Sequence, residues 1–324
     1  MIGKLIQIVP LLALLMSGCA ESSATSETKA DAETEETSVS YPEARPADIR
    51  FEDVLEEYQS LNLRLARVAA PLRLKNATLC PNTRRDPGFT IHKLEDYPEA
   101  IRPMAEALLG VKPGGLYVRA VRPNTSAEQA RLEAGDQILG VNGNMISPKP
   151  LMDTYNRAVL RNGFESVLSK VNIRTANGQE YLARIRPDTA CDIPVKVIFS
   201  NDINGHTDGT DVLITSALMR SVPDDTNLAL VIAHEMAHVI AGHAEMLPTQ
   251  ELELNADRMA LVLMARAGYD VKAAVAYWKD AAHPHDGGKK SESTHPTTRE
   301  RYKNFSKALK RIQKSTSVQE LDLK

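Results

Sequence analysis

Val231-Ile232-Ala233-His234-Glu235-Met236-Ala237-His238-Val239-Ile240 is the stretch from which the rest of the chain can be read. It is apolar except for two histidines and a glutamate. It contains no glycine or proline, and Asp224-Asp225-Thr226 upstream supplies a cap. A helix from about Asn227 to Ala244 is therefore predicted. Four helical residues turn through ~400°, so the two histidines sit ~40° apart around the axis and one turn along it. At that spacing both imidazoles reach one tetrahedral ion at ~2.0–2.1 Å. Glu235 stands beside them, free to face water at the ion without ligating it. An apolar surround implies burial, and a buried carboxylate needs a cation or hydrogen-bond donor.

Two histidines leave zinc short of ligands. Downstream, Glu251-Leu252-Glu253-Leu254-Asn255-Ala256-Asp257 lies in a second apolar-periodic stretch. Glu253 and Asp257, four apart, share a helix face, and Glu251 reads as solvated. The sequence HExxH with Val239 and His243 following, then Glu-x-x-Ala-Asp, then His295-Pro296, resembles the gluzincin metallopeptidases. The similarity is to those related to HtpX, the CAAX prenyl proteases and the periplasmic lipoprotein peptidases, over 195–305. It implies one Zn2+ per chain held by His234, His238 and Glu253, with Glu235 as general base. It also implies Asp257 behind a ligand histidine, His295 as oxyanion stabiliser and Arg301 as a partner in that motif. Asn204 and the strand Val212, Leu213, Ile214, Thr215 match the edge strand along which substrate lies. His206 and His243 read as structural, and His283 and His285 as exposed loop residues or a plug of the zinc in a latent form. Ala241 and Ala244 exclude the metzincin pattern, which needs glycine and histidine there.

Between about 108 and 187 short alternating stretches are separated by turn residues such as Asn142-Gly143 and Asn177-Gly178. Gly115-Leu116-Tyr117-Val118, Pro123 to Ala127 and Gly135-Asp136-Gln137-Ile138-Leu139-Gly140-Val141-Asn142-Gly143 resemble a PDZ domain of the bacterial protease type. That resemblance implies capture of an extended peptide or a C-terminus by strand addition, with Leu109-Gly110-Val111 as carboxylate-binding loop. Upstream, Phe51, Val54, Leu55, Tyr58, Leu61, Leu65 and Val68 recur at helical spacing until Pro71, where the helix is expected to stop.

Lys4 precedes an apolar run from Leu5 to Met16 and then Ser17-Gly18-Cys19. Twelve helical residues reach ~18 Å, short of a ~30 Å bilayer core, so a signal peptide is expected. Small residues before cysteine resemble the bacterial lipobox, which implies lipidation at Cys19 and a periplasmic protein anchored through lipid, to the outer membrane before the inner. Cys80 and Cys191 then lie in an oxidising compartment as a candidate disulfide.

The expected organisation is α+β: a mainly helical zincin-type metallopeptidase domain with an inserted small β-rich PDZ-like domain. Its parts are a signal peptide (1–18), a disordered tether (19–47), the N-terminal part of the peptidase (48–98), the PDZ-like domain (99–187), the peptidase proper (188–315) and a tail (316–324). A net charge of -3 with no basic run argues against nucleic acid as a partner. The expected activity is zinc endopeptidase action on misfolded or specific envelope polypeptides. A proteolytically silent chaperone or scaffold is the alternative, and the complete His/His/Glu/Glu set speaks against it.

Overall fold

The computed structural model describes residues 50–149, 152–222, 224–282, 296–315 and 317. The first helix, α1 (Phe51–Lys75), buries Leu55, Tyr58, Leu61, Leu65, Val68 and Leu72 along one stripe. It does not stop at Pro71. A proline there removes only its own N–H bond to the preceding turn. The further turn buries Leu72 completely and lets the Arg73 guanidinium donate to the Cys191 carbonyl at 3.1 and 3.3 Å. Asn76 finishes the turn from a fully buried position, its amide donating to the carbonyls of Leu72 and Leu263.

Strand β1 (Thr83–Asp86) next leads into a five-strand antiparallel path built from β2 (Phe89–His92), β3 (Leu116–Val121), β4 (Gln137–Val141), β6 (Ser169–Arg174) and β7 (Glu180–Ile185), in that order. The short β5 (Asn144–Met145) pairs with β4 through the Asn142-Gly143 turn, whose φ angles are both positive. Helices α2 (Arg102–Leu109), α3 (Ser126–Gln129) and α4 (Asp153–Phe164) complete the unit. Phe89, Val118, Ile138, Val141, Phe164, Val171, Ile173 and Ile185 form a core separate from that of the rest of the chain. The sheet begins at Phe89, ahead of the expected 99, because a four-residue strand after Pro87-Gly88 is too short for alternation to reveal. The chain returns through β8 (Asp188–Cys191), antiparallel to β1 with Thr83 opposite Cys191 and Asp86 opposite Asp188. A Cys80–Cys191 disulfide, Cα to Cα 5.5 Å, closes the stem.

The remaining chain forms three strands, β9 (Val195–Ile198), β10 (Gly205–Thr207) and β11 (Val212–Thr215), then helices α5 (Ser216–Ser221), α6 (Asp225–Ile240), α7 (Gln250–Ala267), α8 (Val271–Ala282) and α9 (Thr298–Lys314). Here the expectation for Val212, Leu213, Ile214 and Thr215 is corrected. β11 is the middle strand, antiparallel to β10 and parallel to β9, with Val212 and Ile214 fully buried. Both of its edges are taken, and β10 is the outer strand beside α6. Gly205 makes that approach possible: a Cβ there would stand 3.0 Å from the Val231 side chain. The whole is α+β, and no helix among the described residues is long and apolar enough to cross a membrane. Residues 1–49, and with them Cys19, lie outside the described residues, as does His295.

Candidate metal centre

Helix α6 starts where Asp224 accepts hydrogen bonds from the Thr226 and Asn227 amides, at 2.8 and 3.1 Å. Its residues from Asn227 to His238 are all buried. It ends at Ile240, short of the expected Ala244. Gly242, at φ 67°, turns the chain into a short helical turn, His243–Glu245, that brings His243 back against His238. Thr249 then caps α7, which packs along α6 and presents Glu253 and Asp257 to it.

His234, His238 and Glu253, each at most 5% exposed, converge. The two Nε2 atoms are 3.1 Å apart; Glu253 Oε2 is 3.3 Å from His234 Nε2 and Glu253 Oε1 3.5 Å from His238 Nε2. Bonds of ~2.0–2.1 Å around a tetrahedral ion put neighbouring donors ~3.3–3.4 Å apart. The donor set therefore fits zinc in both chemistry and spacing. Charge points the same way. Glu235, Glu253 and Asp257 are buried together beside Arg301, a cluster rich in carboxylates that a divalent cation would offset.

The protonation pattern reflects that crowding. Burial pushes the Glu235 carboxyl up to about 7. Burial, joined by the charge of His234, pushes His238 down to about 3. For His234 burial acts downward, but hydrogen bonds to Asp257 and Glu253 outweigh it and carry the ring to about 9. Glu253 falls to about 2, against burial, through its bond to His234.

Behind the ligands, Asp257 is fully buried and lies 3.0 Å from His234 Nδ1. Arg301, from α9, donates to Asp257 through Nε at 2.8 Å and again through Nη2, and stacks on Trp278 with its guanidinium carbon 4.4 Å from the ring centre. This chain of contacts fixes the His234 ring so that Nε2 faces the cluster. His243 does the same for the second histidine: its Nδ1 is 3.1 Å from His238 Nδ1, and its Nε2 is 3.3 Å from the Asn255 amide. His243 is thus structural, as its place in the sequence suggests, but the sequence does not show that it supports His238. Its spacing, five after His238, offers no helical rationale because the helix has already ended. Nor does anything local to Trp278 signal its place against Arg301.

Asn204 precedes β10, and among the described residues its Oδ1 is buried without a hydrogen-bond partner, as is His206 Nδ1. Gly205 lies against Val231, one turn before His234. The outer strand thus runs over the start of the histidine-bearing turn.

Residues 197–252 and 246–309 match the model of peptidase family M48. This is an M48 peptidase region. It holds the His234, His238 and Glu253 cluster, and M48 membership makes it a metallopeptidase domain. Residues 81–155 match the PDZ domain model, so the inserted sheet belongs to a PDZ domain ahead of the M48 region. Among solved structures, the chain is similar to the HtrA3 PDZ domain crystallised with a phage-derived ligand, FGRWV. Identity is 21%, coverage is 33% of this chain and 89% of that one, and the TM-score is 0.25. No curated protein matches the chain significantly.

Proposed function

We propose that this M48 protein is a zinc endopeptidase of the bacterial cell envelope that cleaves extended polypeptide. The observation that carries the reading is the convergence of two imidazoles and a carboxylate at tetrahedral-edge spacing beside a buried second carboxylate. His234, His238 and Glu253 would hold the ion. Bound zinc supplies Lewis acidity and brings the pKa of water to ~7.

The chain's own residues do the rest. Glu235 lies one position from His234 on the same helix, takes a proton from the attacking water and returns it to the leaving amine. Asp257 and Arg301 hold His234, and His243 holds His238, so the ligands stay aimed as charge develops. Substrate lies along the outer strand β10, with Asn204 at its head, and hydrogen-bonds as an added strand. His295 is assigned by family resemblance to the oxyanion, where a single donor is typically worth ~3–4 kcal/mol. The PDZ domain holds polypeptide for the M48 domain, and Cys19 carries the lipid that keeps the protein in the periplasm at the outer membrane.

Unfolded casein with and without chelator is the direct test. The zinc-loaded protein should cut it, and chelation should stop it. Glu235→Gln should keep one zinc per chain while losing at least a thousandfold in rate. Zinc binding with no cleavage by the unaltered chain would indicate a chaperone or scaffold, and persistent cleavage by Glu235→Gln would remove the assigned base.

A further inference from the structure

A strand at the end of a sheet carries one row of N–H and C=O groups that the sheet does not use. In the PDZ domain β2 is such a strand, with β3 on one side only. Helix α4 runs beside it in the opposite direction. At the start of β2 the Phe89 ring meets Phe164, the last residue of α4, edge-on at 5.9 Å. Just past its end, Lys93 Nζ donates to Asp153, the first residue of α4, at 2.6 Å. Strand and helix are pinned together at both ends. This is the shape of a groove that takes an extended chain by strand addition.

What it takes is decided where β2 begins. Capture of a terminal carboxylate needs free backbone N–H groups converging on an anion. The residues leading into β2 are Asp86, Pro87 and Gly88. Proline has no N–H. The Gly88 N–H is already committed, donating to Asp86 Oδ1 at 2.9 Å. Arg122 Nη1 donates to the same oxygen at 2.9 Å, and Arg73 stands 3.7 Å from Oδ2. Asp86 is 8% exposed, so its carboxylate is built into the corner. Nor can the corner easily open. Gly88 has φ 85° and a Cβ there would lie 2.8 Å from Thr125, while β1 is held to β8 above the Cys80–Cys191 bond. The Leu109-Gly110-Val111 segment offers no substitute: Gly110 closes α2 in the left-handed conformation and Val111 is fully buried.

We propose that the groove between β2 and α4 takes an internal, extended segment of an unfolded polypeptide and excludes free C-termini, with Asp86 occupying the place of a terminal carboxylate. A carboxylate arriving there meets a fixed like charge, a residue without an N–H at Pro87 and a Gly88 amide already taken, whereas an internal segment brings no charge to place. The inference rests on the reading that the PDZ domain holds polypeptide for the peptidase.

Its test uses the full chain carrying Glu235→Gln, so that bound peptide survives. Fluorescein-labelled twelve-residue peptides tiled through β-casein are each made as the free acid and as the C-terminal amide, and binding is read by anisotropy. Every peptide that binds should do so within twofold in the two forms, and hydrogen exchange at residues 89–92 should slow on binding. Asp86→Ala, which frees the Gly88 N–H and leaves Arg122 without that carboxylate, should shift the preference at least tenfold toward free acids. Free acids binding tenfold tighter than amides to unaltered Asp86 would overturn the proposal, as would binding that leaves 89–92 unprotected, or no binding by any peptide. The acid–amide comparison decides even if Asp86→Ala does not fold. Failure here leaves casein cleavage and its chelator sensitivity intact, so it is distinct from failure of the peptidase assignment.

Discussion

Replacing Asp257 by asparagine tests the support of the metal centre with little change in shape. Asp257 is fully buried, receives two bonds from Arg301 and lies 3.0 Å from His234 Nδ1. Arg301 is itself 4% exposed and stacked on Trp278, so it cannot turn to water. Loss of one member of a buried ion pair typically costs ~3–5 kcal/mol. An asparagine oxygen still accepts one bond, which places the expected loss near the lower end, about 3 kcal/mol of stability in the metal-free protein. The same change removes the anion that fixes the His234 ring, and such second-layer losses weaken metal binding ~10–100-fold. Urea unfolding of the chelated protein reads the first effect. Zinc competition against a fluorescent chelator reads the second. Zinc affinity within twofold of the unaltered protein, alongside reduced stability, would make Asp257 a packing residue and refute its orienting role.

Other outcomes follow from separate regions. His243→Ala should weaken zinc binding by roughly tenfold or more, since it removes the group facing His238 Nδ1, and unchanged affinity in the same competition assay would count against it. His92 is 3% exposed, and burial, with the charge of Arg119, pushes it from 6.5 to about 4. Because the folded value lies below the unfolded one, its contribution is present above pH ~6.5 and drains away as pH falls toward ~4. About 3 kcal/mol is lost over that window, and His92→Gln should flatten the urea midpoint across it. The Cys80–Cys191 bond closes a span of 111 residues, so reduction should lower stability by ~4–5 kcal/mol in the chain-entropy model; coincident urea curves with and without reductant would contradict it. Gly163→Ala would set a Cβ 2.5 Å from the Val141 side chain, and overpacking of that kind costs ~1–3 kcal/mol, to be read as a fall in melting temperature.

The metal cluster was legible partly through local rules and partly through the family resemblance, which alone singled out Glu253 as the third ligand. His234 and His238 share a helix face by periodicity, as do Glu253 and Asp257, and a cap at Asp224 marks the first of the two helices. The stem was legible because two cysteines flank a change of texture. What escaped depends on contacts distant in sequence. Nothing local to Val212–Thr215 says that both of its edges are occupied, since β9 and β10 both pair with it. The reach of His243 depends on Gly242 adopting the left-handed conformation after the helix has ended. The resemblance put the carboxylate-binding loop at Leu109-Gly110-Val111, whereas the open strand begins at Phe89. Pro71 reads as a stop until the burial of Leu72 is known.

Asp86 and Asp188 face each other across one ladder, so the PDZ domain leaves and rejoins the rest of the chain at neighbouring points. Paired Cα atoms in such a ladder are ~5 Å apart, a gap that a two-residue turn bridges. The domain is accordingly a detachable cassette: excised between these aspartates, it would leave both cysteines in place and strip cover chiefly from Leu55 and Tyr58 on α1. With those two made polar, the catalytic frame becomes a host into which a different recognition module can be spliced without moving the histidine helix.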